Sequence, residues 1–218
     1  MSSQPQPSGC PNWYKRFFAW AMATATAKYE AQMSDRKQHL FQNLQGNILE
    51  IGPGAGVNLR YLNQTVRWLG FEPNPYMHPY LRQEAERLGL EIEISPQTLD
   101  DRVGAENSVD AVISTLVLCS VPDLSTTLTQ ILSCLKPGGQ FLFIEHVAAA
   151  KGTLLRQVQS GVRPLWQVIG DGCCPDRETG AAIEAAGFAQ VDYETFEGPV
   201  PIPIVKPHII GVATKAGD

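Results

Sequence analysis

The stretch ILEIGPGAG at residues 48–56 is the most informative part of this chain. An apolar run, Ile48 to Ile51, stops at glycines. Gly52, Gly54 and Gly56 remove side chains where the backbone must turn tightly and let a ligand come close. A strand that runs through such a turn into a helix points to an α/β sheet that binds a nucleotide-like ligand at its strand tips. Glu50 puts a carboxylate just before that turn.

From Gly46 onward, strands and helices alternate. The pattern predicts strands near 47–51, 66–71, 90–94, 109–114 and 140–146, with helices near 56–64, 74–88 and 123–135. The first, fourth and fifth strands are mostly apolar, as strands buried on both faces of a parallel sheet must be. Asp123 or Ser125 is placed to cap the helix after Pro122, and Lys136-Pro137-Gly138-Gly139 ends it. A later helix, about 176–186, opens after Pro175-Asp176 and closes at Gly187, and strands near 188–195 and 208–214 come after it. Seven strands result, in a mostly parallel sheet with helices on both faces.

Before this unit, residues 1–12 are polar and Pro-rich and read as a disordered leader. Trp13, Phe17, Trp20, Ala21 and Thr24 then recur at helical spacing, predicting an amphipathic helix over 13–29. It reads either as a lid over the core or as a helix lying in a membrane interface. A second helix is expected from Ser34, as N-cap, to Leu44. The expected organisation is therefore a leader (1–12), N-terminal helices (13–45) and one α/β domain (46–218).

Composition narrows the function. The chain has 218 residues, a formal charge of −5 and no basic run, which argues against a nucleic-acid groove. No signal peptide or membrane-spanning stretch is evident, so an intracellular protein is expected, cytoplasmic or peripherally attached to a membrane. Cys10, Cys119, Cys134, Cys173 and Cys174 show no paired spacing of the zinc-site kind, so no metal is expected.

Three features identify the ligand. The third glycine of a dinucleotide fingerprint is replaced by Val57. Glu72 lies 22 residues after Glu50, at the tip of the second strand, where a carboxylate can accept from both ribose hydroxyls of an adenosyl group. Leu135-Lys136-Pro137-Gly138-Gly139, leading into the fifth strand, resembles a turn recurrent in methyltransferases. Together these imply S-adenosylmethionine as cofactor. Gly52, Gly54 and Gly56 would face its methionine moiety, and Glu50 its ammonium group. Pro73, Asn74, Leu99 and Thr115 complete the expected binding set. Thr98, a backbone carbonyl or Asp100 would accept from the adenine amino group.

More specific runs lie further along. TLVLCSV (115–121), EHVA (145–148), IGDGCC (169–174) with RET (177–179), and PHIIG (207–211) resemble the alkyl-thiol S-methyltransferases, also called methyltransferase-like proteins seven A and B. The resemblance covers nearly the whole chain beyond the first dozen residues. It implies a Rossmann-like class I methyltransferase fold and methylation of small thiols. Glu72 stands where that family usually has Asp, and Pro73-Asn74-Pro75 matches the family's Pro-Asn-Pro directly after it. Pro53 replaces a usual Cys, and the N-terminal region is shorter than the hydrophobic anchor of the animal members.

For the acceptor side, His146 is a candidate base at the tip of the fifth strand, or a structural histidine bonded to backbone. Asp171, flanked by glycines, is a second candidate, or a turn former. Trp166 lines the acceptor pocket or simply packs, and the cysteines read as small buried hydrophobes. Other acceptors stay open, such as a quinone precursor, a lipid amine or a phenol, as does a non-catalytic protein retaining the fold.

Overall fold

The computed structural model describes residues 12–25, 27–99 and 106–217. The expected leader lies almost wholly outside them. The elements are α1 (Asn12–Ala25), α2 (Ala27–Phe41), β1 (Asn47–Ile51), β2 (Arg67–Phe71), α3 (His78–Leu88), β3 (Ile92–Ser95), β4 (Val109–Thr115), α4 (Leu124–Cys134), β5 (Leu135–His146), α5 (Leu154–Ile169), α6 (Thr179–Ala185), β6 (Gln190–Glu197) and β7 (Pro207–Thr214).

The seven strands form one sheet in the order β3-β2-β1-β4-β5-β7-β6. All pair in parallel except β7, which runs antiparallel to both β5 and β6. The chain winds outward from β1 to β3 and then returns to place β4 on the other side of β1. The crevice between the carboxyl ends of β1 and β4 is thus the switch point where open α/β sheets take their ligands. Gly52 and Thr115 both lie there.

Strand alternation sorts side chains between two apolar layers. Ile48, Trp68, Ile113, Leu142, Ile144 and Ile210 pack with Tyr29, Met33 and Phe41 of α2 and Leu81 of α3. Leu49, Ile51, Val112, Phe141, Phe143 and Ile209 pack with Leu128 and Ile131 of α4 and Ile183 of α6. This period of two places Glu50 and His146 on the α2 side of the sheet and Glu145 on the α4 side.

Several elements depart from the sequence reading. The helix expected over 56–64 is a single 3-10 turn, Leu59–Tyr61. Gly56 still has φ of +79°, and the spacing of three between buried Leu59 and Leu62 suits a 3-10 geometry. The helix expected from 74 starts at His78. Ser34 is not an N-cap: it lies inside α2, its Oγ bonded to the Ala31 carbonyl at 3.1 Å. The buried series Tyr29, Met33, Lys37 and Phe41, spaced by four, carries one helix through that position. Asp123 does cap α4, accepting from the N–H groups of Ser125 and Thr126.

Helix α5 has no counterpart in the sequence reading. It holds Gly161 and Pro164, and its apolar residues point the wrong way for a core helix. Leu154, Val158, Leu165, Val168 and Ile169 are exposed, whereas Gln159 is fully buried. The Gln159 amide explains the inversion. It accepts from the Ala149 N–H at 2.8 Å and donates to the carbonyls of Ile204 and Val147, pinning the polar side of the helix to the domain.

Candidate active site

A cavity of about 640 Å³ occupies the switch point. Glu50, Gly52, Gly54, Glu72, Pro73, Asn74, Thr98, Leu99, Thr115, His146 and Asp171, all expected at the site, line it. Gly56, expected with them, stands one layer back. A Cβ there would come within 2.6 Å of Leu81 Cδ1, so its place is in the packing beneath the turn. Asp100 lies outside the described residues.

The glycine turn has left-handed backbone at Gly52, Gly54 and Gly56, with φ of +57°, +56° and +79°. At Gly52 a Cβ would meet Val117 Cγ2 at 2.6 Å, whereas at Gly54 nothing lies within 4 Å. At Gly54, therefore, the turn presents bare backbone to open space. Glu72 closes this end. One carboxylate oxygen accepts from the Gly54 N–H at 3.0 Å and the other from the Asn74 N–H at 2.8 Å. Burial pushes its carboxyl up from the usual range, against those two N–H groups. An ionised carboxylate has about four acceptor sites, so two remain for a ligand's hydroxyl pair. A buried acid at a strand tip beside an uncrowded turn fits an adenosyl group carrying an amino-acid tail.

Asn74 also ties the site to the N-terminal helices. Its side-chain amide donates to the Lys15 carbonyl of α1 at 3.3 Å. The Tyr14 hydroxyl, also on α1, donates to the Ile169 carbonyl at the end of α5 at 2.7 Å.

Behind β1 lies a buried polar network that sequence reasoning missed. Lys37 is fully buried and donates to Glu30 at 2.6 Å and to Asn58 Oδ1 at 2.9 Å. Asn58 in turn donates to Glu50 at 2.8 Å and to Thr115 Oγ1 at 3.0 Å. The Trp68 indole donates to the other Glu50 oxygen at 3.0 Å. Burial dominates over these donors and raises the Glu50 carboxyl to about 7. The same desolvation lowers Lys37. Nothing in a polar helix such as AKYEAQMSDRKQHLF marks Lys37 as internal until α2 is packed on the sheet.

The opposite end of the cavity is built from sulfur and imidazole. His146 Nε2 is 2.9 Å from Cys173 Sγ, and the Trp166 indole N–H donates to the same sulfur at 3.1 Å. Cys119 completes the group: its Sγ, the Cys173 Sγ and a His146 nitrogen all lie within 4.8 Å of one another. The two sulfurs perturb each other: with Cys173 beside it, the buried Cys119 thiol is pushed well up, and Cys119 together with His146 holds the Cys173 thiol low. All three residues line the cavity. Glu145, on the other sheet face, holds the turn below them by accepting from Ser114 Oγ at 2.6 Å and from the Val117 N–H at 3.1 Å. Leu116, between those two, is left-handed at φ of 59°, backbone strain of the kind that clusters at ligand sites. His208, paired opposite His146 on β7, is lowered to about 4 by burial and is neutral at pH 7. Asp171 is exposed on the rim with φ of 49°, the geometry of a turn former.

Similarity to known proteins agrees with this construction. Residues 25–192 match the methyltransferase-domain family. Human thiol S-methyltransferase TMT1A is 34% identical over 212 residues, covering 92% of this chain and 87% of the relative. Human TMT1B is 35% identical over 213 residues with the same coverage. Among solved structures, the N-methyltransferase NodS from Bradyrhizobium japonicum WM9, in complex with S-adenosyl-L-homocysteine, superposes with a TM-score of 0.67 at 14% identity, covering 93% of this chain and 98% of that one. The [4+2]-cyclase SpnF superposes equally well, at 0.67 and 18% identity over 86% of this chain and 81% of that one. Fold alone therefore does not choose the chemistry. The family match and the identity over nine-tenths of the chain do choose the lineage: this chain belongs to the methyltransferase-domain family, on the branch that holds the thiol S-methyltransferases.

Proposed function

We propose that this protein methylates the sulfur of small alkyl thiols, using S-adenosylmethionine. The observation that carries the reading is a single cavity with unlike ends: a glycine turn and buried Glu72 at one, and the Cys119–His146–Cys173 cluster at the other.

S-adenosylmethionine, when bound, supplies an electrophilic methyl group on a positively charged sulfonium. In the proposed pose, Glu72 accepts from the ribose hydroxyls, and Pro73, Thr98 and Leu99 flank the adenine. Gly52 and Gly54 admit the methionine portion, with Thr115 beside it. Glu50, already gripped by Asn58 and Trp68, faces the ammonium group through the same network. The acceptor enters between His146, Cys173 and Trp166. A free thiol is a few per cent ionised at pH 7, so the protein's task is to hold and align the thiolate, which is worth several orders of magnitude in rate. His146 is the acceptor-side residue in this reading, and Asp171 contributes the shape of the rim.

The N-terminal helices are proposed as a lid, since Lys15 and Tyr14 of α1 reach the loop after β2 and the end of α5. A peripheral membrane role for the same region is favoured by a specific feature. Trp13, Phe17 and Trp20 of α1 and Leu165, Val168 and Ile169 of α5 are all exposed. Among the described residues no helix is long and apolar enough to cross a membrane, and contact made through these side chains would be interfacial.

The test is a panel of alkyl thiols, amines, phenols and quinone precursors, scored by S-adenosylhomocysteine release. Thiol turnover far above the rest is expected. Preference for an amine or phenol would overturn the acceptor assignment. Absence of S-adenosylmethionine binding in calorimetry would favour a non-catalytic protein instead.

A further inference from the structure

We propose that Cys119, His146 and Cys173 bind a zinc ion whose fourth position opens into the cavity and takes the acceptor thiol as a thiolate. The open position rests on the acceptor being a thiol, as proposed above; the metal site itself does not.

Two thiols and an imidazole are the ligands that select zinc over hard cations. They converge within 4.8 Å although each is separated by 27 residues from the next. In tetrahedral zinc, with Zn–S about 2.3 Å and Zn–N about 2.0–2.1 Å, such ligand atoms stand roughly 3.5–3.8 Å apart. The 2.9 Å between His146 Nε2 and Cys173 Sγ must open by roughly 0.7 Å to reach that spacing, within the reach of side-chain rotation.

The scaffold holds these positions. His146 is fixed by strand pairing opposite His208. The loops carrying the two cysteines are locked together. The Cys174 N–H donates to the Cys119 carbonyl at 2.9 Å, and Arg177 donates to the carbonyls of Leu118 and Val121 at 2.6 and 2.7 Å. The Trp166 indole N–H on Cys173 Sγ is the kind of outer hydrogen bond that orients a thiolate ligand.

Ligand count and access point the same way. His208 directs Nδ1 to the Lys206 carbonyl and is not part of the cluster. Among the described residues the protein offers three ligands, the number found in open sites, and all three face the cavity. Two thiolates neutralise Zn²⁺, so the loaded site carries no net charge into an apolar pocket. Acceptor binding then exchanges zinc-bound water for sulfur: the Zn–O bond breaks, the Zn–S bond forms, and the thiol proton leaves to solvent as hydronium.

The test uses the full, reduced chain stripped by chelator and titrated with Co²⁺. We expect one equivalent bound per chain, with visible d–d bands and a thiolate charge-transfer band, and competition by Zn²⁺ read by elemental analysis. Cys119→Ser and Cys173→Ser should each weaken uptake at least tenfold while far-ultraviolet dichroism stays unchanged. Cys134→Ser, a buried thiol outside the cluster, should bind like wild type. Ethanethiol should shift the d–d bands and release one proton per chain, and ethanol should do neither. No uptake, or uptake undiminished in both serine variants, overturns the metal site and leaves a metal-free thiol pair. Uptake with bands indifferent to a thiol that is nonetheless methylated overturns the open position. If no thiol is methylated, the proposed function fails, and the Co²⁺ titration still judges the site on its own.

Discussion

Replacing Glu50 by Gln isolates the cost of burying a carboxylate behind the glycine turn. Glu50 is 1% exposed, and its carboxyl is raised from an ordinary 4.5 to about 7, first by burial and against the donors Asn58 and Trp68 and the nearby Lys37. The folded protein thus binds this proton more tightly than the unfolded chain does. Between the two values the native state holds more protons, so stability falls as pH rises through 4.5 to 7 and levels off above. At about 1.4 kcal/mol per pKa unit, wild type should lose roughly 2–3 kcal/mol through this group between about pH 5 and pH 8. Gln keeps the shape and cannot ionise. It will lose a hydrogen bond, because one of its two polar atoms must face a donor with a donor, but that loss of about 1–2 kcal/mol is nearly pH-independent. Urea unfolding of both proteins at pH 5, 6, 7 and 8 gives the difference directly, and titration of distant groups cancels. The Glu50→Gln protein should gain on wild type by roughly 2 kcal/mol or more across the series. A difference flat to within about 0.5 kcal/mol would contradict this account, because it would mean the network stabilises the carboxylate as fully as water does. By the same linkage, S-adenosylhomocysteine in the proposed pose, with its ammonium group facing Glu50, should bind wild type more tightly at pH 8 than at pH 6.

Lys37→Met should destabilise the protein by about 3–5 kcal/mol in urea, since it leaves Glu30 buried without its cation; adding Glu30→Gln should restore most of the loss, and a single variant within about 1 kcal/mol of wild type would sink the point. Gly56→Ala should cost about 2–4 kcal/mol, from left-handed backbone and the 2.6 Å approach to Leu81. Gly54→Ala, with nothing within 4 Å, should cost only about 1–2 kcal/mol yet cut cofactor affinity at least tenfold in calorimetry; equal affinity would place the ligand elsewhere. Glu72→Ala should abolish cofactor binding while the circular dichroism spectrum persists, and retained affinity would remove Glu72 from the site.

Local chemistry was enough to read the sheet and one half of the site. Apolar runs, glycines and breakers act within a few residues of themselves, so β1, the turn at Gly52–Gly56, the stop after α4 and Glu72 at the tip of β2 could all be placed from order alone. The N-terminal boundaries failed where burial overruled local signals: Ser34 reads as a cap, but Tyr29, Met33, Lys37 and Phe41 share one buried face and carry α2 through it. Helix α5 is not legible in the sequence because its apolar side faces outward and Gln159 anchors its polar side. The sulfur and imidazole end of the cavity was the least legible. His146 could be named from its strand tip, but Cys119 and Cys173 looked like idle buried thiols, since no short spacing announces a group assembled from two loops and a strand end. Order along the chain settled most of the elements, the switch point and the place of the buried acid at the tip of β2, because those depend on near neighbours. Packing in three dimensions was needed to bring two sulfurs and an imidazole together and to sink Lys37 beneath Glu50, because both results depend on which distant segments the sheet brings face to face.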